Sequence, residues 1–173
     1  VEKYGWENFV FCPAATISKR KNQITLLKAL KDTDLKIVIN NTQSIEDNLE
    51  DSFWPLVKNN ANVLCLEKLD LPMLVSCYKA AKVSVSVSQS ETAGLVNLEA
   101  AYLGCNLVVS ELEALRESVG NMAHVVNQNN LGSIRQGILS AYEKKYDPKH
   151  KDFIFQNYSW DNYSSQLLNL MCR

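Results

Sequence analysis

Apolar residues along this chain follow two patterns: short unbroken runs, and longer stretches in which they recur every three or four positions. The runs read as strands and the stretches as helices. "FVFC" (Phe9 to Cys12) is the first strand, and the loop "PAATISKRKN" leads from it to a helix from about Gln23 to Leu30. "LKIVIN" (Leu35 to Asn40) is the second strand. A polar stretch after it is predicted helical, with an interruption near Pro55, which has no N–H for an interior turn. "NVLCLEKL" (Asn62 to Leu69) is the third strand, after which Asp70 caps a helix running through Ala81, with Pro72 in its first turn. In "VSVSVS", the fourth strand, Val83, Val85 and Val87 alternate with Ser84, Ser86 and Ser88. Its helix is "LVNLEAAYL". "NLVVS" (Asn106 to Ser110) is the fifth strand, "ELEALRESV" a short helix and "AHVVN" (Ala123 to Asn127) the sixth strand. Helices from Leu131 to about Lys145 and from Ser159 to about Cys172 complete the chain.

Strands that alternate with helices imply parallel βαβ units with right-handed crossovers. The expected fold is therefore α/β, a doubly wound parallel sheet of about six strands. In such sheets ligands bind beyond the strand carboxyl ends, which directs attention to "PAATISKRKN", "LEKLD", "SQSETAG", "SELEAL" and "NQNN". The first strand is followed by neither GxGxxG nor GxxxxGK[ST], which argues against an ordinary dinucleotide site and a P-loop.

Composition narrows this further. The 173 residues suit one domain, and the net charge of −1 gives no global reason to expect nucleic acid as a partner. Five cysteines without a CxxC pair suggest a reducing cytosol with no zinc site and no disulfide framework. No segment approaches the roughly 20 apolar residues of a membrane span, and no signal peptide is evident. The opening "VEKYGWENF" lacks a methionine and reads as a linker, so a longer protein is expected.

One stretch concentrates the chemistry. "SETAGLVNLEAAYLG" places Glu91 in a turn and Glu99 inside the helix that follows. Gly94 to Glu99 spans about 7.5 Å of helix at 1.5 Å per residue. A phosphate suits the free N–H groups and dipole at the helix start, and a carboxylate at Glu99 suits two vicinal ribose hydroxyls. Glu91 would then face a sugar beyond the diphosphate. Glu91 taken alone reads first as an acid complementing the helix dipole. Glu99 lies on or beside the face carrying Leu95, Leu98, Ala101 and Tyr102, where an unpaired carboxylate is expensive; a salt-bridge role also fits it. His124 reads as packed in its strand, His150 as part of the solvated run "KKYDPKHKD", "NQNN" as a turn and Trp160 as the anchor of the last helix.

The same spacing carries a family resemblance. "ETAGLVNLEA" resembles the E-G-F-G-L-V-x-L-E-A signature of the retaining glycosyltransferases of group 1 (family 4), two-domain enzymes of the GT-B fold. "LPMLVSCYKAAKVSVSVSQSE" resembles their D-x-x-L-x-x-x-Y-x-x-A-D-x-x-V-x-P-S-x-x-E run. "GCNLVVSELEALRESVG" is similar to G-x-P-V-V-A-S followed by a helix ending P-E-V-V-G, and "YSWDNYSSQLLNL" to F-S-W-x-x-x-A-x-x-L. The resemblance implies a Rossmann-like GT-B half over residues 1–173, the C-terminal donor-binding domain, with residues 159–173 as its terminal helix and the acceptor domain absent.

It implies that Glu99 binds the ribose of a UDP- or GDP-sugar, that Glu91 contacts the donor sugar, and that Ala93, Gly94 and Leu95 line sugar and diphosphate, with Thr92 and Val96 beside them. Lys21, in "SKRKN", would hold the diphosphate and stabilise the leaving nucleotide; Lys19 and Arg20 read as surface. The family's phosphate-binding arginine is replaced by Thr16, which keeps a hydroxyl donor without charge. Thr92 and Ala93 replace glycine and phenylalanine, and Asn106 replaces a proline. The implied activity of the full-length enzyme is transfer of a hexose or N-acetylhexosamine to a saccharide or lipid-linked acceptor. It would need no metal or other cofactor, work in the cytoplasm with peripheral membrane association, and leave this fragment alone inactive. Rival readings are a non-catalytic nucleotide-binding scaffold and a nucleotide-sugar epimerase of the same fold.

Overall fold

A computed structural model describes residues 5–41, 44–67 and 69–171, with the side chains of Gln166 and Leu170 left aside. Six strands form one fully parallel sheet: β1 (Phe9–Cys12), β3 (Ile37–Asn40), β5 (Val63–Leu66), β6 (Ala81–Ser86), β7 (Asn106–Ser110) and β8 (Ala123–Val126). Their spatial order is β5-β3-β1-β6-β7-β8. Chain order thus runs outward from β1 to one edge, returns to β6 and runs outward to the other. This is the doubly wound order, with its switch point between β1 and β6. The expected fold class is observed.

The intervening helices cover both faces. Val10, Ile37, Ile39, Val83, Val85 and Val108 pack beneath α1 (Gln23–Leu30), α2 (Glu50–Lys58) and α6 (Leu131–Glu143). Phe9, Phe11, Val38, Leu107 and Val109 meet α3 (Leu71–Ala80), α4 (Leu95–Tyr102), α5 (Glu113–Val119) and α7 (Lys149–Tyr158) on the other face. Because β6 is central, its valines and its serines are all buried. The valine–serine alternation therefore separates two covered faces rather than core from solvent. Ser84 stands opposite Phe11 in register, a small side chain beside a large one.

Five details differ from the sequence pattern. Helix α2 runs through Pro55 without interruption; Asp51, four residues earlier, is exposed, where water can serve the carbonyl that the proline leaves without a donor. The run containing His150 is not simply solvated, because Lys149–Tyr158 is a helix whose Ile154 is buried and whose His150 ring meets Tyr146 edge-on at 5.7 Å. Trp160 does not anchor α8 (Trp160–Met171) in a core: it is 82% exposed and touches Tyr163 on its own helix. A two-residue parallel ladder, β2 (Thr16–Ile17) against β4 (Ser44–Ile45), lies outside the main sheet. In α4, Leu95, Glu99 and Tyr102 share the outward face, while Asn97, Leu98, Ala100 and Ala101 are buried.

Cys12, Cys65, Cys77 and Cys105 are free thiols; Cys172 and Lys68 lie outside the described residues. Burial pushes Cys12 up to about 11 and Cys105 up to about 12, so neither is a thiolate at neutral pH. Among the described residues no helix is long and apolar enough to cross a membrane.

Candidate functional site

Three loops leave the carboxyl ends of β1, β6 and β8 and are stitched together at the switch point. In the first, Gln23 is fully buried and folds the loop back: its Nε2 donates to the Thr16 carbonyl (2.7 Å) and its Oε1 accepts from the Ser18 N–H (3.2 Å). Ser18 closes the next turn, accepting from the Lys21 N–H at 3.2 Å through its hydroxyl and from the Asn22 N–H at 2.9 Å through its carbonyl. Asn22 ends the loop at φ 62°, a left-handed conformation that asparagine tolerates better than most residues. Its Nδ2 donates to the Val87 carbonyl (3.1 Å) in the second loop and to the Gln128 carbonyl (2.9 Å) in the third. Gln89 adds two more ties, its N–H to the Arg20 carbonyl (2.7 Å) and its side chain to Asn129 (2.9 Å). Ser110, at the end of β7, donates to the Ser88 carbonyl at 2.6 Å.

This scaffold brings Lys21 against Glu91. The Lys21 ammonium donates to Glu91 Oε1, and the Ser88 hydroxyl donates to the same oxygen at 3.1 Å. Arg20 reaches the other oxygen at 3.6 Å. The Glu91 side chain is only 9% exposed and that of Lys21 17%, whereas Arg20 is half-exposed. Two cations and a hydroxyl therefore converge on a nearly enclosed carboxylate, an arrangement that compensates its lost hydration.

Gly94 starts α4 at φ 62°, and an added Cβ would overlap Leu115 Cδ2 and lie 2.9 Å from Asn97 Nδ2. Only glycine satisfies both the backbone and the space there. Asn97 is fully buried, and its amide has no hydrogen-bond partner among the described residues. Thr92, Ala93 and Leu95 are exposed around this helix start, Leu95 at 64%, and Val96 is half-buried. Glu99 is exposed, and its Oε2 accepts from the buried Tyr78 hydroxyl at 3.1 Å. Thr16 belongs to the small β2–β4 ladder, with its carbonyl held by Gln23.

The two acids thus have surroundings opposite to those the sequence suggested: Glu91 is enclosed and ion-paired, and Glu99 is open to solvent. Arg20 is no bystander, since it borders the Glu91 carboxylate. Asn22, Ser88 and Tyr78 also take part, and none was a site candidate in the sequence. The signal for Asn22 was a polar residue directly before an apolar helix, and for Tyr78 its place in the quoted Y-x-x-A run. Asn106, where the resembling pattern has proline, is a structural tie: its Nδ2 donates to the Ala141 and Lys144 carbonyls at 2.9 and 2.7 Å, fastening β7 to the end of α6.

The family model described as "Glycosyl transferases group 1" matches residues 2–160. The chain belongs to this family. Among relatives of the group 1 domain, an uncharacterized glycosyltransferase of Methanocaldococcus jannaschii is 31% identical over 153 residues, covering 83% of this chain and 38% of its own length. The O-antigen chain mannosyltransferase B of Escherichia coli is 27% identical, covering 98% and 47%. In fold, this group 1 chain is similar to Anabaena HepE, solved with UDP and glucose (TM-score 0.79, 15% identity, 99% of this chain and 50% of that one). It is likewise similar to sucrose-phosphate synthase of Thermosynechococcus elongatus (TM-score 0.78, 19% identity, 95% and 45%). The chain spans about half or less of the length of these relatives.

Proposed function

We propose that this chain is the C-terminal, donor-binding domain of a retaining glycosyltransferase that takes a UDP- or GDP-sugar. The observation that carries the reading is the Lys21–Glu91 pair at the β1–β6 switch point, with Glu99 about one and a half turns along α4 from the helix start at Gly94. Gly94 and the free N–H groups after it suit one phosphate, and Lys21 suits the charge of the diphosphate. As the bond to the sugar breaks, negative charge grows on the leaving diphosphate, and a fixed ammonium favours that state. Glu91 receives hydroxyls of the transferred hexose or N-acetylhexosamine. Thr92, Ala93, Leu95 and Val96 line the path between the acids, and Thr16 offers a hydroxyl from the first loop. No metal or other cofactor enters this scheme. The Anabaena protein, solved with UDP and glucose, supports a nucleotide-sugar donor, and the mannosyltransferase relative supports transfer of a hexose.

The acceptor, a saccharide or lipid-linked sugar, would be held by a domain outside this chain, with transfer in the cleft between the two. The free cysteines fit a cytoplasmic enzyme, associated peripherally with a membrane where its acceptor is a lipid.

Calorimetry of the full-length protein with UDP, GDP and ADP tests the reading. One of the three is expected to bind, and Lys21→Ala should weaken it by about 10- to 100-fold, the value of a lost charge-assisted hydrogen bond. Absence of binding by all three at millimolar concentration would rule the donor site out. Binding without hydrolysis or transfer of any sugar donor would favour a non-catalytic scaffold.

A further inference from the structure

We infer that Tyr78 is a positioning residue for nucleotide recognition: its hydroxyl fixes the Glu99 carboxylate in the orientation that receives a ribose diol. The inference rests on the reading of Glu99 as a ribose ligand.

Tyr78 lies in the last turn of α3 and is 1% exposed, on the face of the sheet that α4 also covers. Its ring meets Phe11 of β1 edge-on at 5.2 Å, and its carbonyl accepts from the Cys105 thiol at 3.1 Å. The ring is therefore held by the sheet below it, and the backbone that carries it is tied to Cys105. Its hydroxyl emerges from this packing under α4, 3.1 Å from Glu99 Oε2 and 3.4 Å from the Val96 carbonyl. Burial, and then the adjacent Glu99 carboxylate, push the phenol well above its usual range, so it remains a donor wherever the protein is folded.

The carboxylate needs this bond less for solvation than for direction. Glu99 is exposed, and water can satisfy it. Left to itself, an exposed glutamate samples many rotamers, and binding a diol would have to order all of them. One hydrogen bond from an immobile phenol removes much of that freedom in advance. A carboxylate has about four lone-pair sites, so one donor from below leaves enough for two vicinal hydroxyls. The ribose then meets an acceptor already oriented, which is the effect of preorganisation on affinity.

The experiment compares each nucleoside diphosphate with a form that lacks both hydroxyls. In the full-length protein, the tightest of UDP, GDP and ADP is titrated alongside its 2′,3′-dideoxy counterpart. The wild type should prefer the ribonucleotide. Tyr78→Phe keeps the ring and removes only the hydroxyl; it should weaken the ribonucleotide about 5- to 10-fold and leave the dideoxy form unchanged. On a Glu99→Ala background the same change should have no further effect, since the residue it acts through is gone.

A loss shared equally by both nucleotides, or a ribose preference that survives Tyr78→Phe, would overturn the inference. A wild type that binds both forms alike removes the ribose role of Glu99 and this inference with it, while the Lys21 result still stands for the diphosphate. Failure of every nucleotide to bind removes the donor reading as a whole. If Tyr78→Phe does not fold, a structure of the wild type with the bound nucleotide decides. The Tyr78 hydroxyl should still be on Glu99 with both ribose hydroxyls on the remaining lone pairs; a Tyr78–Glu99 bond broken by the ribose sinks the idea.

Discussion

Glu91 and Glu99 stand on the same loop and helix but are held in different ways. Glu91 is enclosed and surrounded by donors from two loops: Lys21, Arg20 and Ser88. Glu99 is open to water, and its carboxylate accepts from the phenol of Tyr78. The first acid is therefore part of what holds the loops together. The second meets the fold through the phenol below it and is otherwise open to solvent. The same residue type is held by partners from two loops at one position and left open to solvent at the other, and enclosure decides which.

The comparison can be broken most severely at Gly94, which lies between the two acids. Gly94→Ala puts a side chain into a left-handed backbone, costing about 1–2 kcal/mol, and overlaps Leu115 for about 1–3 more. Thermal or urea unfolding should show a loss of about 3 kcal/mol, with both acids displaced. Next in size is Glu91→Ala. It leaves the largely covered Lys21 ammonium without its carboxylate, and unfolding should show a loss of about 2 kcal/mol, below the value for a fully buried pair because some solvent remains. Glu99→Ala sharpens the contrast: it takes one hydrogen bond from the Tyr78 phenol, so its loss of stability should be about 1 kcal/mol, smaller than that of Glu91→Ala. If Glu99→Ala were the more destabilising of the two, the division of roles drawn here would be wrong.

The smallest effect is with pH and involves neither acid. Burial, followed by Lys144, lowers the pKa of His124. Burial lowers that of His150 too, with Asp147 opposing and Lys144 adding. The unfolded histidines titrate near 6.5, above their folded values. As pH falls through 6.5 the unfolded chain takes up protons that the folded one refuses, so stability present above that pH declines below it and levels off under the folded values. The urea midpoint should be slightly lower at pH 5.5 than at pH 7.5, and the difference should shrink in a His124→Gln/His150→Gln variant.

The strands were legible because β1 is an unbroken apolar run and β3 and β7 carry apolar runs that end in a polar residue, all buried, and α3 because Asp70 and Pro72 mark its start. Helix α7 was hidden because its polar sequence keeps one buried apolar anchor, Ile154. The β2–β4 ladder has two residues per strand, too few for any periodicity. Lys21, Glu91 and Gly94 could be picked out by their placement after strands, but the enclosure of Glu91 could not, since the Lys21 ammonium on it comes from a loop 70 residues away in sequence. On α4, Leu95 and Tyr102 share the outward face with Glu99, so hydrophobicity pointed to the wrong side of the helix.

The pairing of Lys21 with Glu91 means that the loops supply the ammonium with its own counter-ion. An anion arriving there competes with a carboxylate already seated, and a lone orthophosphate brings nothing else with which to displace it. A longer molecule that also engages the helix start and the far carboxylate gains contacts that the small ion lacks. In the proposed donor site the internal pair would therefore act as a filter, favouring molecules long enough to reach the helix start and Glu99 as well.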